Sequence, residues 1–289
     1  MLYRKITSYL ENHLKSGTDF KNQSTMKKLF MVLAATLICG AGLLTSCKKD
    51  TRVLREMIVG KWMLTELNGR AVTTNDKVVY TFVSDTKAYM SASFSNNPGM
   101  SNLWSDQREV DVAIEGNTMT ITFHATENVT TVDELSVTTI NNSGFTANYK
   151  ATVTDGGNVV YSRQGTMHFT KINVDYREAV IGLWECTELN GIETYNDANA
   201  RLEFFADGNY KYWRKNEGGG WEAVTDREYQ NYFVDGKLLA TRWRNIGEDE
   251  LREWWEITSL AHGKMQWTAL RQNADGTTAQ QGMKWVKVN

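Results

Sequence analysis

The residues able to do chemistry are few and scattered. Beyond position 47 stand three histidines, His124, His168 and His262, each isolated in sequence. None lies at metal-ligand spacing from a cysteine or carboxylate, so neither a metal site nor a cofactor is expected. The chain carries no Gly-x-Ser-x-Gly elbow, no phosphate loop and no Cys–His arrangement beyond chance. Carboxylate pairs such as Glu253 and Glu256 are ordinary on solvated strand faces, and the chain reads as a non-enzyme. Of three cysteines, Cys39 and Cys47 lie in or just after an apolar N-terminal run. That leaves Cys186, which reads as a small buried apolar residue. Tryptophan is more informative: eight of the ten, Trp184, Trp213, Trp221, Trp243, Trp254, Trp255, Trp267 and Trp285, fall in the second half.

The elements that must position these residues come in two copies. Ile58–Gly69 reads IVGKWMLTELNG and Val180–Gly191 reads VIGLWECTELNG, identical at seven of twelve positions. A closing echo pairs Met167–Asn173 with Met283–Asn289. Opening and closing segments recur together, so the unit is a duplicated domain and not a short-period solenoid. We expect domains at 58–173 and 174–289. They carry 8 Lys+Arg against 11 Asp+Glu (net −3) and 14 against 19 (net −5). Neither has the basic excess of a nucleic-acid binder, so no nucleic-acid partner is expected.

Residues 1–25 are polar and irregular and read as an over-extended start. Residues 26–46 read as a signal peptide: Met26-Lys27-Lys28, an apolar run from Leu29 to Leu44, then small residues. The run is shorter than the roughly 20 residues a spanning helix needs. Leu44-Thr45-Ser46-Cys47 resembles a bacterial lipobox. That resemblance implies cleavage before Cys47, acylation of its thiol and attachment to a membrane through acyl chains such as palmitate. Residues 47–57 would be a charged tether. Lys48-Lys49-Asp50 resembles the charged patches that send lipoproteins of Bacteroides-like bacteria to the cell surface. The implied address is the cell envelope, lipid-anchored at the outer membrane, periplasmic or surface-exposed.

Both domains read as strands of period two joined by short Gly, Asn and Asp turns. Val110–Ile114 and Thr118–Phe123 flank Glu115-Gly116-Asn117, while Lys237–Trp243 follows Asp235-Gly236. Trp221–Val234 reads as one strand. Short connections favour antiparallel neighbours. Eight strands in meander order lose their edges if they close. Gly60-Lys61-Trp62 and Gly182-Leu183-Trp184, each heading such a meander, are similar to the Gly-x-Trp of the lipocalin (calycin) family. The resemblance implies an all-β fold: two tandem eight-stranded antiparallel up-and-down barrels, with Trp62 and Trp184 as structural plugs of the closed ends. The family often packs an arginine on that tryptophan, and the sequence offers no clear counterpart.

A barrel of eight strands holds side chains or one small ligand. Alternation points Tyr210 with Tyr212, Leu251 with Trp255 and Ile257, and Met265 with Trp267 inward. These would fill the barrel or line a site for a small apolar ligand, with Arg201 or Arg242 as polar groups. Trp213, Trp243 and Trp254 would face outward. An outward aromatic patch would suit a glycan or protein partner instead. Asn96–Met100 and Glu217–Gly220 are candidate lids or simple hairpin loops.

Overall fold

The computed structural model describes residues 53–92, 107–193 and 200–288. The apolar run, Cys47 and the Asn96–Met100 loop lie outside these residues. The first sheet comprises β1 (Gly60–Leu67), β2 (Arg70–Ala71), β3 (Val78–Phe82), β4 (Lys87–Ala92), β5 (Arg108–Glu115), β6 (Thr118–His124), β7 (Val129–Ile140), β8 (Gly144–Asp155) and β9 (Asn158–Ile172). Long strands pair antiparallel in sequence order, and β9 returns to pair with β1. The result is a closed eight-stranded barrel, with β2 a short spur on β1. Period two fills it: Val110, Val112 and Ile114 of β5 and Met119, Ile121 and Phe123 of β6 are buried, and their neighbours face out.

The second sheet comprises β10 (Gly182–Leu189), β11 (Ile192–Glu193), β12 (Ala200–Phe204), β13 (Tyr210–Lys215), β14 (Trp221–Ala223), β15 (Arg227–Asp235), β16 (Leu238–Asn245), β17 (Leu251–Ala261), β18 (Lys264–Gln272) and β19 (Thr278–Lys287). It curls in the order β14-β13-β12-β10-β19-β18-β17-β16-β15. The expected second closed barrel is therefore corrected to a curled half-barrel. The expected single strand Trp221–Val234 breaks at residues 224–226, so β14 stays on β13 and β15 starts anew at the opposite edge. The two edges touch where Asn209 bridges Asn231, where the Tyr232 N–H donates to Gly208 O (2.8 Å) and where the Tyr232 hydroxyl donates to Phe205 O (2.7 Å). Residues 217–220 form a tight hairpin turn, closed by Asn216 N–H to Gly220 O at 2.8 Å, and not a long lid.

A second seam runs between β17 and β18. They pair from Glu256 opposite Thr268 to Ala261 opposite Lys264, then separate. Beyond that point β17 pairs with β16, and β18 with β19. The short 3-10 turn Thr74–Asp76 of the first domain packs against both strands here. The Leu270 N–H donates to Thr74 Oγ1 (2.8 Å), and the Arg271 guanidinium donates to the Asn75 side-chain oxygen. The equivalent strands of the first barrel, β7 and β8, stay paired along their length.

Both closed ends are built alike. Trp62 Nε1 donates to Ile58 O and Trp184 Nε1 to Val180 O, each at 2.6 Å. A lysine lies across each indole: Lys171 over Trp62 at 4.9 Å and Lys287 over Trp184 at 5.4 Å. Gly60 and Gly182 sit at φ +127° and +125°, and a Cβ there would meet the lysine Cε at 3.1 and 2.8 Å. Asn68 and Asn190, also at positive φ, accept from the last strand through Oδ1, from Thr166 N–H and Gly282 N–H, both at 2.9 Å.

The two sheets meet through outward side chains. Met63, Val79 and Ile172 pack against Leu238, Ala240 and Trp254, and Phe233 stands edge-on to Trp254 at 5.6 Å. Two carboxylates lie at this contact. Asp235, 1% exposed, accepts from Lys61 and Ser91 across the interface. Glu256 accepts from Lys77 of the first domain and Lys237 of the second, both at 2.7 Å.

Asp235→Ala leaves an ammonium and a hydroxyl without their buried acceptor, and is expected to cost about 3–5 kcal/mol in urea denaturation. A loss under about 1 kcal/mol would show that the pair is not structural. Burial pushes Glu256 upward, but Lys77 and Lys237 outweigh it and hold the carboxyl below its ordinary value. A depressed folded value means that the contribution is complete above the unfolded value, about 4.3, and disappears as pH falls through the folded one. Glu256→Gln is expected to flatten that acid-side loss, measured as denaturation midpoints in steps downward from about pH 6.

Candidate functional site

The lumen of the second sheet gathers its aromatics. Register puts Leu202 and Phe204 opposite Tyr212 and Tyr210, and Leu239 and Trp243 opposite Trp255 and Leu251. Trp255 and Trp267 stack at 5.6 Å and 25°, and Trp285 meets Trp267 edge-on at 4.8 Å and 64°. These three rings form a column above the Trp184 plug. Trp255 Nε1 donates to Glu253 at 3.1 Å. Trp267 and Trp285 are 2% and 3% exposed, yet among the described residues their indole N–H groups have no acceptor. Buried donors are normally paired, so two unpaired ones in one lumen are unusual.

Charged groups sit toward the other end of the column. The Arg227 guanidinium lies 5.1 Å from the rings of both Tyr212 and Trp243. Its charge acts on the Tyr210 hydroxyl, and it donates weakly to Gln230 Oε1 at 3.4 Å. No ion pair engages it among the described residues, and its Nε is buried without an acceptor. Arg271 covers the face of Trp255 at 4.9 Å. Burial lowers its pKa, and the Glu253 charge opposes that shift. Burial raises the Tyr210 hydroxyl well above its ordinary range despite Arg227. Tyr232 is pushed up to about 12, chiefly by burial and then by Asp207 and Glu178.

Tyr210, Tyr212, Trp255 and Trp267 thus share one lumen. Arg201 and Arg242 do not join them, which corrects the expectation that either would serve as a lumen polar group. Arg201 alternates with the inward Leu202 and Phe204, so it lies on the outer wall. There it donates to Glu185 at 2.8 and 2.6 Å and stacks on Trp221 at 4.0 Å. Arg242 alternates with Thr241 and Trp243 and lies outside over Tyr229 at 5.4 Å. Trp243 points inward, the reverse of the expectation. Trp254 does face outward, but the first barrel covers it. Trp213, also outward, bonds Glu203 at 3.3 Å.

Sequence reasoning missed Arg227, Glu253 and Arg271. The last two continue the parity of Trp255 and of Trp267, so period two could have found them. Arg227 follows a chain break and a bulge, which hide its parity. The first barrel has a related layer. Asp133, four residues before the β7 bulge at Val137/Thr139, corresponds to Glu253, four residues before the β17 bulge at Ile257/Ser259. Asp133 faces the Tyr80 hydroxyl, and burial raises its pKa against the opposing pull of Arg163 and Tyr80.

The histidines stay apart. His124 pairs with Thr130 and His168 with Thr146, both at 3.0 Å, and His262 sits in a turn at φ +52°. Cys186 is buried in the core. Among the described residues no three His, Cys, Asp or Glu converge to hold a metal. A cleft of about 300 Å³ beside Leu54, Asn117 and Ile140 belongs to the closed end of the first barrel.

Residues 58–147 match the family model of a lipocalin-like domain. A search of curated proteins finds no match. Among solved structures, the chain is similar to a protein of unknown function of the DUF3598 family from Nostoc punctiforme. The identity is 10% over 81% of this chain and 97% of that one, with a TM-score of 0.22. It is also similar to a mutant of the vaccine antigen transferrin binding protein B from Haemophilus parasuis, at 8% identity over 76% of this chain and 61% of that one, TM-score 0.22.

The raised tyrosines give an alkaline test. Their neutral forms are favoured in the folded state, so this contribution is complete below about pH 10 and disappears as pH rises through the folded values. Absorbance titration is expected to leave Tyr210 and Tyr232 protonated until the fold opens. Ordinary titration of all tyrosines in the intact fold would contradict their burial.

Proposed function

We propose that this protein is a non-catalytic lipoprotein of the cell envelope whose second barrel holds a small ligand with an apolar body. The observation that carries this reading is the Trp255–Trp267–Trp285 column, with two buried indole donors lacking acceptors. A site of apolar walls and a few polar groups is the usual form of a small-molecule pocket. The lipocalin-like match of the first domain agrees with a binding role. In this reading Cys47 carries the acyl chains, which hold the protein at the outer membrane, facing the periplasm or the surface. Each buried CH₂ adds about 0.8 kcal/mol to that attachment.

A second reading is recognition of a glycan or protein by outer aromatics. It rests on Trp221, flanked by Arg201 at 4.0 Å and Lys215 at 5.5 Å. It is weakened because the first barrel covers Trp254, one of the outward rings that it would use.

Native mass spectrometry of the chain from Lys48 onward, after exposure to a lipid and metabolite extract, separates the two. The expected result is a discrete added mass that weakens in Trp267→Phe, which removes the N–H and keeps most of the ring volume. A clean unliganded mass would move the assignment to the outer face. Lipidation is checked separately: Cys47→Ala should abolish incorporation of an alkyne palmitate analogue, and retained label would sink the anchor.

A further inference from the structure

We infer that the ligand of the second barrel is an organic anion, its charged group held by Arg227 and its apolar body laid against the tryptophan column. This rests on the ligand-binding reading above and names the class of ligand.

The second domain is acidic, with 14 Lys+Arg against 19 Asp+Glu. Among the described residues its lumen face has the opposite balance, three arginines, Arg214, Arg227 and Arg271, to two carboxylates, Glu222 and Glu253. Arg271 is already engaged by the Trp255 face, the Asn75 oxygen and the Glu253 charge. Glu253 in turn accepts from Trp255. Among the described residues Arg227 is the lumen cation without an ion pair. Two aromatic rings fix its plane, and the Gln230 side chain takes part of its hydrogen-bonding capacity. Its Nε has no acceptor among the described residues.

A partly desolvated guanidinium without a counter-charge is costly, and a bound anion offsets that cost. The planar fork suits the two oxygens of a carboxylate, sulfonate or phosphate, and the flanking rings limit the entropy lost on binding. Below it, the Trp267 and Trp285 N–H groups, unpaired among the described residues, would donate to an acceptor atom in an otherwise apolar body. Access is at hand: Arg227 opens β15, and β14 ends at Ala223, so the residue lies beside the seam that the sheet leaves unpaired. The nearest rim charges, Arg214 and Glu222, satisfy each other at 3.2 Å.

Two dyes test this directly. 8-Anilino-1-naphthalenesulfonate and N-phenyl-1-naphthylamine share one apolar body, and only the first carries an anion. Fluorescence titration of the chain from Lys48 onward is expected to show the sulfonate binding about tenfold tighter. Arg227→Gln should erase that preference while leaving the neutral dye unchanged, and Arg227→Lys should restore part of it. Arg201→Gln, on the outer wall, should change neither. Equal affinity for both dyes, or a preference untouched by Arg227→Gln, would overturn the anion while leaving the ligand site standing. A preference lost in Arg201→Gln would place the anion outside and overturn it too. Failure of both dyes to bind would remove the ligand-binding reading itself.

Discussion

At the closed end of each sheet the buried indole N–H finds an acceptor, a carbonyl four residues earlier in the chain. Much of the shape of the closed ends follows from that bond. The chain has to coil once before the first strand, which brings Leu54 and Ile58, or Tyr176 and Val180, under the plug. The opposite ring face then lies open to the last strand, and a lysine covers it. A lysine stem so close to the start of β1 or β10 leaves no room for a Cβ, hence a glycine two residues before each tryptophan. At the other end of the strand, an asparagine and a glycine at positive φ make the turn, and the asparagine oxygen ties it to the closing strand. Thr65 and Thr187 add bonds to carbonyls of that same strand, His168 O and Lys284 O, both at 3.2 Å. Five of the seven identities in the repeated segment, Gly60, Trp62, Thr65, Asn68 and Gly69, thus serve the closed end, the turn or the tie to the last strand.

Closure is complete in only one copy. Where β17 and β18 part, backbone groups of β18 lose their ladder partners, and buried groups left unpaired are costly. The first domain supplies the replacement, because the Thr74 hydroxyl accepts from Leu270 N–H inside the split. The same contact brings Lys61 and Lys77 to carboxylates of the second domain. Replacing one partner of such a pair strands the other in a dry contact, so the interface resists piecemeal loss. The first barrel therefore acts on the second as a wedge and a wall. It holds a seam open that a closed meander would not have, and covers Trp254, whose exposure would otherwise leave a large apolar ring in water.

The meander and its turns were legible because period two and Gly, Asn and Asp turns are local signals. The plug was legible because Gly-x-Trp recurs. The lysines on the plug were equally present in the closing echo, Lys171 against Lys287, but packing across a ring has no local signature. Arg201 and Arg242 were placed inside by their chemistry alone, although parity with Leu202 and with Thr241 puts them outside. Trp243 shows the same error in reverse. The openness of the second sheet depends on residues 224–226, where no proline or glycine announces the break. Only pairing across the whole sheet reveals that β15 has left β13.

The two lumens diverge where the two closed ends do not. Asp133 and Glu253 keep one station relative to a bulge, while the arginine beside them changes strand. Arg163 lies on β9 opposite Ala151 of β8, and Arg271 lies on β18 opposite Ala279 of β19. In each pair the small partner leaves room for the long side chain. Such an exchange preserves a charge at a given depth while freeing the wall around it to vary. The column then differs sharply: the first barrel sets Leu135 and Ala147 at the bulge-matched places where the second sets Trp255 and Trp267. At those two places one copy holds aliphatic side chains and the other indoles, one of which lacks an acceptor among the described residues. A common way of closing one end thus leaves the side chains of the two lumens free to differ.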